Sequence, residues 1–132
     1  MNCVAKAVNK LFPDQDLSQY YDRKIGVGMG DIQRMIPNEL SVWPVYCNHR
    51  KCLNFDLIKQ LPKTEHYIPL FLFKSIMSDR YRLHCELAMW DRDNIIVDDI
   101  EHDTDDYFEH HKIIQVAALI KFETHEILIA RK

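Results

Sequence analysis

Cys3, His84 and the pair Asp98-Asp99 are the residues whose types and spacing could do covalent chemistry. Cys3 follows Asn2, a good N-cap, and stands on what reads as the first turn of a helix. A helix start carries partial positive charge and unpaired amides, which stabilise a thiolate. The same placement aims the Cys3 backbone N–H where an oxyanion would develop. The plain alternative is a small buried hydrophobe. His84 lies in the apolar stretch Arg82 to Trp90, which is followed by the turn formers Asp91-Arg92-Asp93-Asn94 and then Ile95-Ile96-Val97-Asp98-Asp99. That pattern predicts strand, tight turn and strand. The hairpin brings His84 towards the two carboxylates, and a carboxylate that fixes an imidazole beside a thiol makes a nucleophilic site. The register stays open. A two-residue turn at Arg92-Asp93 opposes Glu86 to Asp99, whereas a three-residue loop shifts the pairing to Asp98.

A rival chemistry is metal binding. Cys47, His49 and Cys52 fall within six residues, and His66 or Cys85 could supply a fourth ligand. Zinc takes three or four such ligands, but Cys-x-His-x2-Cys is not a standard finger spacing and no second half is paired with it. Arg50 and Lys51 make an exposed basic turn the simpler reading, so no metal is expected. The acidic run Asp91 to Glu109, which includes Glu101, Asp103, Asp105 and Asp106, reads as a solvated face. Beside a catalytic histidine it would also attract basic residues of a peptide, with Glu101 and Asp103 as substrate-binding candidates.

At 132 residues and 47% apolar the chain is expected to form one domain, residues 1–132, with a core of its own. The net charge of −3 argues against nucleic-acid binding, which wants a basic face. No apolar run reaches the roughly 18–20 residues that span a bilayer, and Lys6 and Lys10 in the amphipathic start do not suit a signal peptide. A cytoplasmic protein is the expectation, with its four cysteines as free thiols rather than a disulfide framework. No cofactor motif is present; Gly26, Gly28 and Gly30 lack the flanking strand and Lys-Ser/Thr of a phosphate loop.

The elements that must position these residues follow from periodicity. Val4, Ala7, Val8, Leu11 and Phe12 recur at helical spacing until Pro13. Asp16 caps a second short helix through Tyr20-Tyr21, and Asp31 to Ile36 forms a third helical turn ended by Pro37. Leu40 to Tyr46 is strand-like but holds Pro44, which marks an edge strand. Asn54 starts a short helix closed by Pro62. Tyr67 to Phe73, the central hairpin, Ile113 to Phe122 and a return over Glu126 to Ala130 supply the sheet. Helices first and antiparallel strands after predict an α+β fold in two layers.

Taken together, these pieces resemble papain-like cysteine proteases. Within that clan they are most similar to the picornaviral leader proteases, of which the foot-and-mouth disease virus enzyme is the best known. The residues that carry the resemblance are Asn2-Cys3-x4-Ala7-x3-Leu11-Phe12, His84 in its strand, and Val97-Asp98-Asp99 ahead of an acidic-aromatic segment and a long strand. The resemblance implies an N-terminal helical part packed on a C-terminal antiparallel sheet. It makes Cys3 the nucleophile and His84 the base and acid. Asp98, the first acid after the strand, becomes the orienting carboxylate, with Asp99 as the alternate. It implies a viral thiol protease of the host cytoplasm that releases itself from a polyprotein and cuts host proteins. The oxyanion donors would be the Cys3 amide, with Asn2 as a further candidate. The family's Asn or Gln five or six residues ahead of the nucleophile has no counterpart in Met1-Asn2. Two other readings stand beside it: an inactive protease-like binding module, and a zinc-stabilised interaction domain.

Overall fold

A computed structural model describes residues 3–20, 29–47, 66–75 and 83–131. Helix α1 (Cys3–Leu11) buries Val4, Ala5, Ala7 and Val8 on one face and leaves Lys10 in its last turn. A 3-10 turn (Ser18–Tyr20) follows; Asp16 Oδ1 accepts from both the amide and the hydroxyl of Ser18. Helix α2 (Met29–Met35) buries Ile32. The strands are β1 (Leu40–Cys47), β2 (His66–Ser75), β3 (Leu83–Trp90), β4 (Asn94–Val97), β5 (Ile100–Asp103), β6 (Ile113–Lys121) and β7 (Ala130–Arg131), with helix α3 (Thr104–His110) between β5 and β6. The helix expected after Asn54 lies outside the described residues.

Six strands form one antiparallel sheet in the order β1-β6-β2-β3-β4-β5, and β7 adds to the start of β2. Proline sets part of this layout, because it donates nothing to a ladder. Pro44 sits in the terminal strand β1, next to a register shift. Pro69 sits where β2 opposes Met89 of β3 on one side, between the β7 pairing at His66-Tyr67 and the β6 pairing that begins at Leu70. The return after β6 makes only a bridge, Ile120 with Ile127, before β7.

Alternation along the strands divides the core in two. On one face Phe71, Phe73, Cys85, Ala117 and Leu119 pack under α1 and α2. On the other Leu70, Leu72, Ala88, Trp90, Ile95, Val97, Val116 and Ala118 pack with Tyr107 of α3. The fold is α+β, as its sequence indicates, but helices cover both faces, so the two-layer expectation is corrected. The third helix was hidden in the acidic run. Asp103 is its N-cap, with Oδ2 accepting from the Asp106 amide at 3.1 Å, and Asp105 and Asp106 occupy its first turn, where negative charge is favoured.

Candidate functional site

The hairpin register is the two-residue one. Trp90 opposes Ile95 and Ala88 opposes Val97, so Arg92 and Asp93 form the loop, and Arg92 takes the left-handed conformation at φ 82°. The buried carboxylate of Asp91 closes this turn by accepting from the Asn94 amide at 2.8 Å. Strand β4 ends at Val97, and Val97 pairs with Ile100. Asp98 and Asp99 are therefore the two central residues of a second tight hairpin, at φ 52° and 63°. Positive φ at both positions is what a type I′ turn demands, and Asp tolerates it better than most residues. This gives the acid pair a backbone reason to exist.

Because β4 pairs only with Ala88 to Trp90, the earlier part of β3 has no strand on that side among the described residues. The start of α1 lies against this free edge. Cys3 Sγ accepts from the backbone N–H of Cys85 at 3.4 Å, across 82 residues of sequence. Between helix and edge lies a cleft of about 110 Å³, whose walls include Cys3, Lys6, Lys10, His84, Glu86 and Asp98. Covalent dimensions then place Cys3 Sγ within about 6 Å of the His84 Cα.

The side chains are distributed differently from the expected triad. Cys3 packs on the α1 face with Cys85, while His84 and Glu86 share the alternate positions of β3 that face away from α1. The carboxylate that holds His84 is Glu86, not Asp98: Glu86 Oε1 lies 3.0 Å from His84 Nε2. Asp98 pairs instead with Lys10 Nζ at 3.4 Å, with both side chains about half exposed, a rim contact of little energetic weight. Asp99 and Glu101 are exposed, and Asp103 is engaged as the α3 cap. The Cys3 amide opens α1, while Asn2 lies outside the described residues.

Glu86 is the centre of a network that residue types alone do not reveal. Its Oε2 receives Lys74 Nζ at 2.6 Å and the Tyr107 hydroxyl at 3.3 Å. Lys74 also contacts the Tyr107 hydroxyl and lies 4.6 Å from the centre of that ring. Lys74 and His84 are direct cross-strand partners, which brings Lys74, His84 and Glu86 together. Burial works against the charge on Glu86, but the hydrogen bond and charge of Lys74, then His84, overcome it and hold the carboxyl below its ordinary value. Burial, then Glu86, pushes the Tyr107 hydroxyl up. His111 stacks on Tyr107 at 4.1 Å, and slight burial followed by Lys74 lowers it. Burial, then Cys3 and Glu86, raises the Cys85 thiol, which leaves it protonated and inert. A sequence signal for this network did exist: Lys74, His84 and Glu86 are polar interruptions in strands that are otherwise largely apolar, and His84 and Glu86 alternate with Cys85 and Leu87.

Cys47 ends β1, and His49 and Cys52 lie outside the described residues, as does the loop on which the zinc reading rested. Among the described residues no three His, Cys, Asp or Glu side chains gather as a metal site, and no helix is long and apolar enough to cross a membrane. Comparison with protein-family models, with curated proteins and with solved structures finds no match for this chain.

Proposed function

We propose that this domain is a papain-like cysteine peptidase that cleaves peptide bonds by acyl transfer, with Cys3 as nucleophile and His84 as base and acid. One observation carries the reading: a helix-opening cysteine and a strand histidine, far apart in sequence, wall the same small cleft. In the first step the imidazole takes the Cys3 proton and sulfur attacks the carbonyl carbon of the scissile bond. The oxygen of the tetrahedral intermediate lies near the free amides of the first turn of α1. Collapse breaks the C–N bond, the imidazolium gives its proton to the leaving amine, and a water activated by the imidazole hydrolyses the thioester. With Nε2 held by Glu86, the basic lone pair is that of Nδ1, which has no hydrogen-bond partner among the described residues. Cys3 and His84 come from opposite faces at the free edge of β3, so the pair forms by rotation of the partly exposed imidazole over that edge towards the sulfur.

The substrate is an extended peptide. Lys10 answers the charge of Asp98 on the cleft wall, and the exposed Asp99 and Glu101 of the same hairpin favour Lys or Arg beside the scissile bond. The leader-protease resemblance extends the proposal to self-release from a polyprotein and cleavage of host proteins in the cytoplasm. A second reading has an observation of its own. Cys3 Sγ is engaged with the Cys85 amide and His84 with Glu86, an arrangement that suits a protease-like module which binds peptides without cutting them. A peptide aldehyde or epoxide inhibitor followed by mass spectrometry separates the two. Modification of Cys3 that is lost in His84→Ala supports the peptidase. An unmodified Cys3, in a protein that still binds the peptide, supports the module.

A further inference from the structure

We propose that Glu86 is the positioning residue for His84, held in place by Lys74 and Tyr107, and that the usual role of a carboxylate on the next strand has moved to the same strand. The inference rests on the reading of Cys3 and His84 as a thiol–imidazole pair, and it concerns how the imidazole is kept in place.

Residues i and i+2 of a strand share a face, so Glu86 reaches His84 without any help from hairpin register. One of its oxygens takes Nε2 of the ring at 3.0 Å, and the other is fixed by Lys74 at 2.6 Å and by the Tyr107 hydroxyl at 3.3 Å. The Glu86 side chain is only 19% exposed, against 62% for Asp98. Asp98 has its charge answered by Lys10, across the mouth of the cleft. A positioning group must itself be locked by packing and by further hydrogen bonds. Glu86 meets that condition and Asp98 does not. Lys74 neutralises Glu86 from the side opposite to His84, so Glu86 acts more as a fixed acceptor than as a spare negative charge. Retention of the Nε2–H tautomer is the consequence, with Nδ1 left as the base.

Among the described residues, the other ionisable groups around this pair are His111 and His102 at the Tyr107 ring, and Lys6 and Lys10 with Asp98 along the cleft. The test therefore compares Glu86→Ala and Tyr107→Phe with Asp98→Asn, using two readouts in the full chain. The first is the pH profile of Cys3 alkylation by iodoacetamide, a neutral probe. Loss of a charge-assisted hydrogen bond to the imidazolium moves the alkaline limb of that profile towards lower pH. Glu86→Ala is expected to do this. Tyr107→Phe, which keeps the ring and its packing, moves it the same way by less, and Asp98→Asn leaves it in place. The effect of Glu86 persists in high salt, because the pair with Lys74 is largely shielded from solvent. The second readout is the NMR titration of the His84 ring proton, which reports on Glu86 whether or not Cys3 reacts. A shift with Asp98→Asn and none with Glu86→Ala or Tyr107→Phe overturns the proposal. A Cys3 profile that is the same in the parent and in His84→Ala defeats the thiol–imidazole reading instead, and the ring titration of the parent and its other variants still decides the role of Glu86.

Discussion

Lys74→Met tests the polar network through stability, and the size of its effect depends on pH. Lys74 and Glu86 are 12% and 19% exposed, between the surface and the interior. Exposed pairs contribute about 0.2–1 kcal/mol, and breaking a fully buried pair costs about 3–5 kcal/mol. A value of about 2 kcal/mol suits this intermediate site. In a chain of 132 residues that corresponds to a melting temperature lower by roughly 6–10 °C. Methionine fills a volume close to that of the lysine stem, so packing is nearly preserved and the loss is electrostatic.

The pH window follows from Glu86, whose carboxyl is held below its ordinary value of 4.5, chiefly by Lys74 working against burial. A depressed carboxyl contributes stability that is fully present above the unfolded value and is lost as pH falls through the folded one. The gap between the parent and Lys74→Met is therefore widest near neutral pH, begins to close below about pH 4.5, and narrows further as pH falls through the depressed folded value. A remainder of about 0.5 kcal/mol survives at acid pH, from the ammonium over the Tyr107 ring. Urea unfolding monitored by circular dichroism at a series of pH values measures this directly. A gap below about 0.5 kcal/mol at pH 7, or one of constant size from pH 7 to pH 3, would refute the reasoning.

Three further outcomes follow from particular contacts. In the native protein iodoacetamide labels Cys3 well before Cys85, whose buried thiol is pushed up and which is 3% exposed; equal labelling, read by mass spectrometry, counts against the assigned geometry. Asp99→Gly raises stability by about 0.5–1 kcal/mol, because glycine adopts the positive φ at no steric cost, and a loss in urea unfolding would remove the type I′ assignment. Trp90→Phe costs about 2–3 kcal/mol by the same assay, since the indole Nε1–H donates to Thr104 Oγ1 and to the Arg92 carbonyl at 3.1 Å each, and Trp90 is fully buried; a cost under 1 kcal/mol means those bonds are not made.

Much of the sheet was legible because its signals are local. The alternation of β3 and β4 and the turn formers between them fix the hairpin, and Pro44 places β1 at an edge. The helix after β5 was not legible in the same way. Its seven residues include three acids, and it meets the core only through Thr104, Tyr107 and the partly buried Phe108. The Asp103-x-x-Asp106 cap was the available signal, and it was obscured by the neighbouring acids. The cleft was legible only in part. Cys3 at a helix start and His84 on a strand are one-dimensional facts, whereas their approach depends on α1 lying along a free strand edge. That depends in turn on β4 being only four residues long.

The hydrogen-bond partner of His84 was not accessible to a spacing argument that left two hairpin registers open. Hairpin pairing opposes Glu86 to Asp99 only if the second strand continues past Val97, and it does not. The chain turns back at Asp98-Asp99, where small acidic residues serve the backbone. Acids at such a turn are exposed by construction, because a two-residue loop has no interior. A group that must hold an imidazole in one orientation needs the opposite condition, with both of its oxygens occupied and little solvent to compete. On β3 that condition is met two residues after the histidine, where Lys74 from one neighbour and Tyr107 from the opposing helix meet a single carboxylate. The informative pattern is thus an acid flanked by apolar residues inside a strand, since its burial has to be compensated by partners. An acid pair that ends a strand carries much less information, because turn geometry alone accounts for it.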